Sequence, residues 1–213
     1  MTGPHWFLLA CFIVFAVGVR LRINQAFPRK GASGLAEGRG DEARSVLYSL
    51  SGAMMPWKKE TAHRHFFSYA MGVGYHAGVF LSFIWLALVF FNIGLPEFLG
   101  TLSALVIAVA ALGGFGLLVK RALTPEMRYF SNPDDYFSNM IVTGFLVLTI
   151  LVLKYDGLTP AYLVYSGVLY LYIPLGKLRH SIYFALARVY LGLFYGRRGV
   201  WPAGGRDSWR KRA

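Results

Sequence analysis

Five long stretches of the chain carry no charged residue: Met1 to Val19, Phe66 to Pro96, Phe98 to Val119, Tyr136 to Leu153 and Gly157 to Gly176. A helix crossing the hydrocarbon core needs about 20 mostly apolar residues, and open backbone at that depth would leave its polar groups unpaired. The five blocks therefore predict an all-α membrane protein with five transmembrane helices. A mean hydropathy of +0.48 with only 15% charged residues excludes a disordered chain. The single cysteine, Cys11, excludes a disulfide-stapled fold and any self-contained iron–sulfur or zinc–thiolate site. Cys11 itself reads as an apolar filler, and iron–sulfur chemistry, if involved, comes from a partner.

The charges orient the spans. Nine Lys and Arg lie between Arg20 and His65, three between Lys120 and Asp135, and nine from Lys177 onward, leaving Lys154 alone on the opposite side. By the positive-inside rule the crowded side is the cytoplasm, with the N-terminus outside and the C-terminus inside. The first block, Trp6 to Val19, has nothing basic before it and Arg20 and Arg22 after it, the reverse of a secretory signal. This places a multi-pass protein in the cell's inner, cytoplasmic membrane, as one domain over residues 1–198 with a cytoplasmic loop over 20–62 and a basic tail over 199–213. Topology and anionic lipid account for much of the basic charge, and nucleic acid is not an expected partner.

Within the long loop, GASGLAEGRG at residues 31–40 does not follow a strand and lacks dinucleotide-binding spacing, so it reads as a linker. Asn132, Pro133, Asp134 and Asp135 read as an N-cap, an N1 proline and two acids favoured by the helix dipole. There is no internal repeat.

Histidine is the informative polar residue. Ionisable side chains in a span are costly to bury and mark function by default. His76 lies deep in the second block, about 22 Å along a helix from Phe91; His180 lies about 30 Å from Pro160 on a fifth helix running the other way. Each has glycine four residues before it and phenylalanine four after: Gly72 and Phe80 around His76, Gly176 and Phe184 around His180. On a continuous helix those offsets share a face, giving a notch and an aromatic wall on either side of the imidazole. The pattern suits one haem b held by His76 and His180 within the bundle, with Lys177 and Arg179, or Arg64 or Arg188, meeting its propionates. The competing reading is helix packing, in which a membrane histidine bonds a neighbouring helix and small residues allow close approach. His63 and His65, in a basic turn, read first as surface residues. Either can also replace His180 as a ligand or bind a quinone oxygen, with Arg121 or Lys120 at the pocket mouth. Tyr162, Tyr165, Tyr170 and Tyr172 read as interfacial and packing residues.

The segments GYHAG at 74–78, KRALTPEMR at 120–128 and PLGKLRH at 174–180, on five helices with the N-terminus outside, resemble the cytochrome b (gamma) subunit of respiratory nitrate reductase. Its relatives include the membrane subunits associated with dissimilatory sulfite reductase and heterodisulfide reductase. The resemblance runs from Arg20 to about Arg198. It implies electron exchange between quinone, menaquinone or ubiquinone, and a cytoplasmic iron–sulfur subunit, with the inner haem on His76 and His180. Near the positions of the family's outer-haem ligands this chain has Leu86 and Tyr162, so the expectation is a single haem and a quinone pocket in the inner half. That favours the sulfite or heterodisulfide reductase-associated branch and the role of an electron-transferring subunit rather than the catalytic chain. The alternatives are a small transporter or channel and a haem-free structural anchor.

Overall fold

The computed structural model describes residues 1–26, 38–58 and 66–202. Within these residues eight α-helices follow in order: α1 (Gly3–Ala26), α2 (Glu42–Leu50), α3 (Phe66–Phe90), α4 (Glu97–Leu123), α5 (Pro125–Tyr129), α6 (Pro133–Val152), α7 (Thr159–Leu175) and α8 (His180–Arg197). Among the described residues there is no strand. Five segments are long and apolar enough to cross a membrane: α1, α3, α4, α6 and Asp156–Leu175, which is α7 with the tight turn before it. Their 20 to 27 residues correspond to roughly 30–40 Å of helix.

The sequence marks most of these ends. Glu97 opens α4, and Lys120 and Arg121 close it, each sign complementing the helix dipole. At α6 a full capping box forms: the Asn132 side chain accepts from the Asp135 N–H at 3.1 Å, and the Asp135 carboxylate accepts from the Asn132 N–H at 3.0 Å. The expectation of a cap there holds.

The chain separates into two compact units. The first, Met1–Gly18 with Phe67–Arg179, contains all or most of each span. Its centre gathers Tyr162, Leu163 and Leu169 of α7, Phe145, Ile141 and Val142 of α6, Leu86 of α3 and Leu8 of α1. A second cluster joins Trp85 of α3 to Ile107, Ala110 and Ala111 of α4 and Leu146 of α6. Small residues set the spacing: a Cβ at Gly78 would collide with Ala110, and one at Gly167 would strike the Phe7 ring and crowd Cys11. Cys11 is buried at this contact, as an apolar filler should be. The outer surface is apolar too. Phe98, Leu105, Val109 and Leu112 line up exposed along α4, an arrangement that suits lipid and would be a large unfavourable patch in water.

The second unit comprises Val19–Phe66 and His180–Ala213, and its described core is α2 against α8. Ser45 and Ser49 on α2 are fully buried, and α8 brings glycines to this helix: Gly196 meets Ser45 and Gly192 meets Val46. A Cβ on either glycine would meet the α2 backbone. The Ser49 hydroxyl donates to the Arg188 carbonyl at 2.7 Å, and the Arg188 guanidinium returns a bond to the Ser49 carbonyl at 2.8 Å. The stretch over 20–62, expected as a cytoplasmic loop, begins with the end of α1, which continues to Ala26, and contains the packed helix α2. Of the glycine-rich segment, residues 31–37 lie outside the described residues, as do 203–213 of the basic tail.

Candidate functional site

His76 stands on the outward face of α3 with Val73, Phe80 and Ile84, all exposed and separated by three or four residues. The opposite face supplies the contacts of the bundle. There the Tyr75 hydroxyl reaches the Asn139 carbonyl and the Thr143 hydroxyl, and Gly78, Ser82 and Leu86 are buried. The His76 Nδ1 lies 2.7 Å from the Gly72 carbonyl. A carbonyl only accepts, so Nδ1 carries the proton and Nε2 presents its lone pair. Metal-binding imidazoles are commonly held this way, one nitrogen tied to a backbone carbonyl and the other left for the metal. A Cβ built on Gly72 would touch nothing within 4 Å. The notch, imidazole and aromatic wall read from the sequence thus lie along one exposed face. One imidazole nitrogen on an open, apolar helix face is chemistry that a planar metal macrocycle could use.

The surroundings of His180 differ from the expectation. The fifth span ends at Leu175; Gly176 is its C-cap, a tight turn follows over Lys177–Arg179, and His180 begins a new helix. Pro174 has no N–H with which to continue the helix, and Gly176 departs from helical geometry two residues later. Gly176 and His180 therefore do not share a helical face. Nor is Gly176 a notch: it is buried, and a Cβ there would run into the Tyr172 ring. Phe184, four residues into α8, does keep the expected relation to His180 and is exposed.

Of the cations expected at the propionates, Lys177 and Arg188 have other partners, and so do Arg121 and Lys120, expected at the mouth of the quinone pocket. Lys177 pairs with the Asp135 carboxylate, and Arg121 approaches the same carboxylate at 3.4 Å while donating to the Ser131 hydroxyl at 3.0 Å. The carboxylate is 5% exposed, so one buried acid joins the end of α4, the start of α6 and the turn after α7. Beside it the Tyr172 hydroxyl donates to Asp134 and lies 2.7 Å from the Ser138 hydroxyl. Asp134 and Asp135 are more than caps. Nothing in their spacing reveals these partners, which come from residues far along the chain. Arg188 is held by Ser49, with its guanidinium near the Trp201 ring, and Lys120 donates to the Ser68 hydroxyl at 2.8 Å. Arg179 lies exposed in the turn before α8. His63, Arg64 and His65 lie outside the described residues.

Leu86 and Tyr162 are both built into the core. Tyr162 is fully buried, stacked on Phe145 with ring centroids 5.7 Å apart, and its hydroxyl donates to the Ser82 carbonyl at 3.2 Å. The Thr149 hydroxyl donates to it in turn. Packed side chains fill both positions.

Among the described residues no group of three or more His, Cys, Asp or Glu is placed to hold a metal ion. Among the described residues these features make a helical protein of multi-pass membrane character, with five helices long and apolar enough to cross a bilayer and an exposed histidine on the second of them. No family model, curated protein or solved structure matches the chain.

Proposed function

We propose that this protein is the membrane cytochrome b subunit of a respiratory oxidoreductase complex, passing electrons between a quinone and a cytoplasmic iron–sulfur subunit through a single haem b. The observation that carries the reading is the His76 imidazole, exposed on α3 with Nδ1 tied to the Gly72 carbonyl, beside a glycine that opens onto space. A bound haem would supply reversible one-electron chemistry. The chain's part is to present an axial nitrogen, exclude water with the Phe80 side of α3, and hold the imidazole in one tautomer through the Gly72 carbonyl. Sequence reasoning assigns the second axial nitrogen to His180, with His63 and His65 as alternatives. The packing of Leu86 and Tyr162 supports one haem rather than two. The distribution of Lys and Arg supports a cytoplasmic C-terminus in the inner membrane.

A haem-free structural anchor is the second reading. The same Gly72 bond favours it, because it satisfies the His76 donor within α3, and so does the pairing of Lys177 with Asp135. The visible spectrum of the protein purified from membranes, with a pyridine haemochrome assay, separates the two. One haem per chain, lost in His76→Ala, supports the cytochrome. A colourless protein, two haems per chain, or a His76→Ala variant with an unchanged spectrum overturns it.

A further inference from the structure

The face of α2 turned away from α8 is apolar. Leu47 is 67% exposed and Leu50 47%, three residues apart on one side of a helix whose other side buries Ser45 and Ser49. Beyond the helix the same character continues in Met55 and in Trp57, which is 73% exposed. α2 is far more two-sided than the spans α3 and α4. Asp41 and Glu42 open α2 beside the exposed Arg44, and Lys58 follows Trp57 directly; over residues 20–65 as a whole nine Lys and Arg outnumber four acids.

A two-faced helix with aliphatic residues and a tryptophan, in a segment of net positive charge, matches the headgroup layer of a bilayer, where aromatic rings sit at the polar boundary and cations meet anionic lipid. The chain also confines this strip to the neighbourhood of a membrane. Eight residue steps separate Lys58 from Phe66, the first residue of a span, a reach of at most about 28 Å. We propose that α2 and the following turn, through Leu47, Leu50 and Trp57, form an interfacial anchor that lies in the headgroup region of an anionic leaflet. The occupant of this apolar face is lipid. The proposal does not depend on haem.

Cys11 is the only cysteine, so a Cys11→Ala background allows single nitroxide labels at residues 44, 47, 50 and 57 of the full chain. The protein is reconstituted in vesicles of phosphatidylcholine mixed with phosphatidylglycerol, and each label's collision with oxygen is compared with its collision with a water-soluble nickel chelate. Labels at 47, 50 and 57 are expected to favour oxygen several-fold over the label at 44, and less so in phosphatidylcholine alone. Labels at 47 and 57 as open to nickel as label 44 would overturn the proposal. So would protection from both reagents, which would mean cover by protein or a second copy. Quenching by bromine-labelled lipid supplies a readout without labels: wild type should lose more fluorescence than Trp57→Phe, and equal losses would count against the anchor.

Discussion

The surroundings of His76 and of His180 share a sequence pattern, glycine four before and phenylalanine four after, and yet fold differently. Around His76, α3 runs unbroken from Phe66 to Phe90, so Gly72, His76 and Phe80 lie on one face and the glycine opens onto space. Before His180 the helix stops at Leu175, and the glycine serves as its cap under the Tyr172 ring. An i, i+4 relation has meaning only where the intervening hydrogen bonds exist. Pro174 followed by Gly176 is a stop signal that sequence can supply, and it outweighs the spacing of the apolar residues around it.

The largest expected difference between the two regions is in haem content. His76→Ala should abolish the reduced spectrum. His180→Ala should leave part of the haem but convert it from low to high spin. A fully low-spin spectrum in His180→Ala would transfer the second axial position to His63 or His65.

The glycines should respond in opposite senses. Gly72→Leu enters open space, so it should leave the thermal midpoint in detergent nearly unchanged while lowering haem content several-fold. Gly176→Leu meets the Tyr172 ring, and such overpacking costs about 1–3 kcal/mol, seen as a lower midpoint. If Gly72→Leu were the destabilising one, the contrast between the two regions would be broken.

Asp135→Ala tests the polar joint next to the His180 turn. It removes one half of a capping box, worth about 1 kcal/mol. It also frees Lys177 and Arg121, whose partial exposure limits the further loss, for about 2 kcal/mol in all by thermal denaturation. Asp135→Asn keeps an acceptor for the Asn132 N–H and should cost less. A double-mutant cycle of Asp135→Ala with Lys177→Gln that shows no coupling would reduce the joint to its cap.

The smallest effect belongs to Tyr162→Phe. The ring and its stacking remain, while hydrogen bonds to Thr149 and the Ser82 carbonyl are lost, a cost of about 1 kcal/mol. A much larger loss would give this hydroxyl a role beyond packing.

The sequence by itself determined the five spans, the charged ends of α4 and the cap at Asn132. These depend on terms that act within a few residues: an unpaired peptide group is costly in lipid wherever it falls, and a cap bonds its own first turn. Tertiary structure alone decided which face of α3 turns inward, leaving His76 outside and Leu86 in the core. It likewise brought Arg121 and Lys177 to one carboxylate, and set Ser45 of the long loop against Gly196. Each of these pairings joins residues far apart in the chain. Close approach there depends on small side chains meeting small side chains, a condition that belongs to two surfaces together and cannot be read from either one alone.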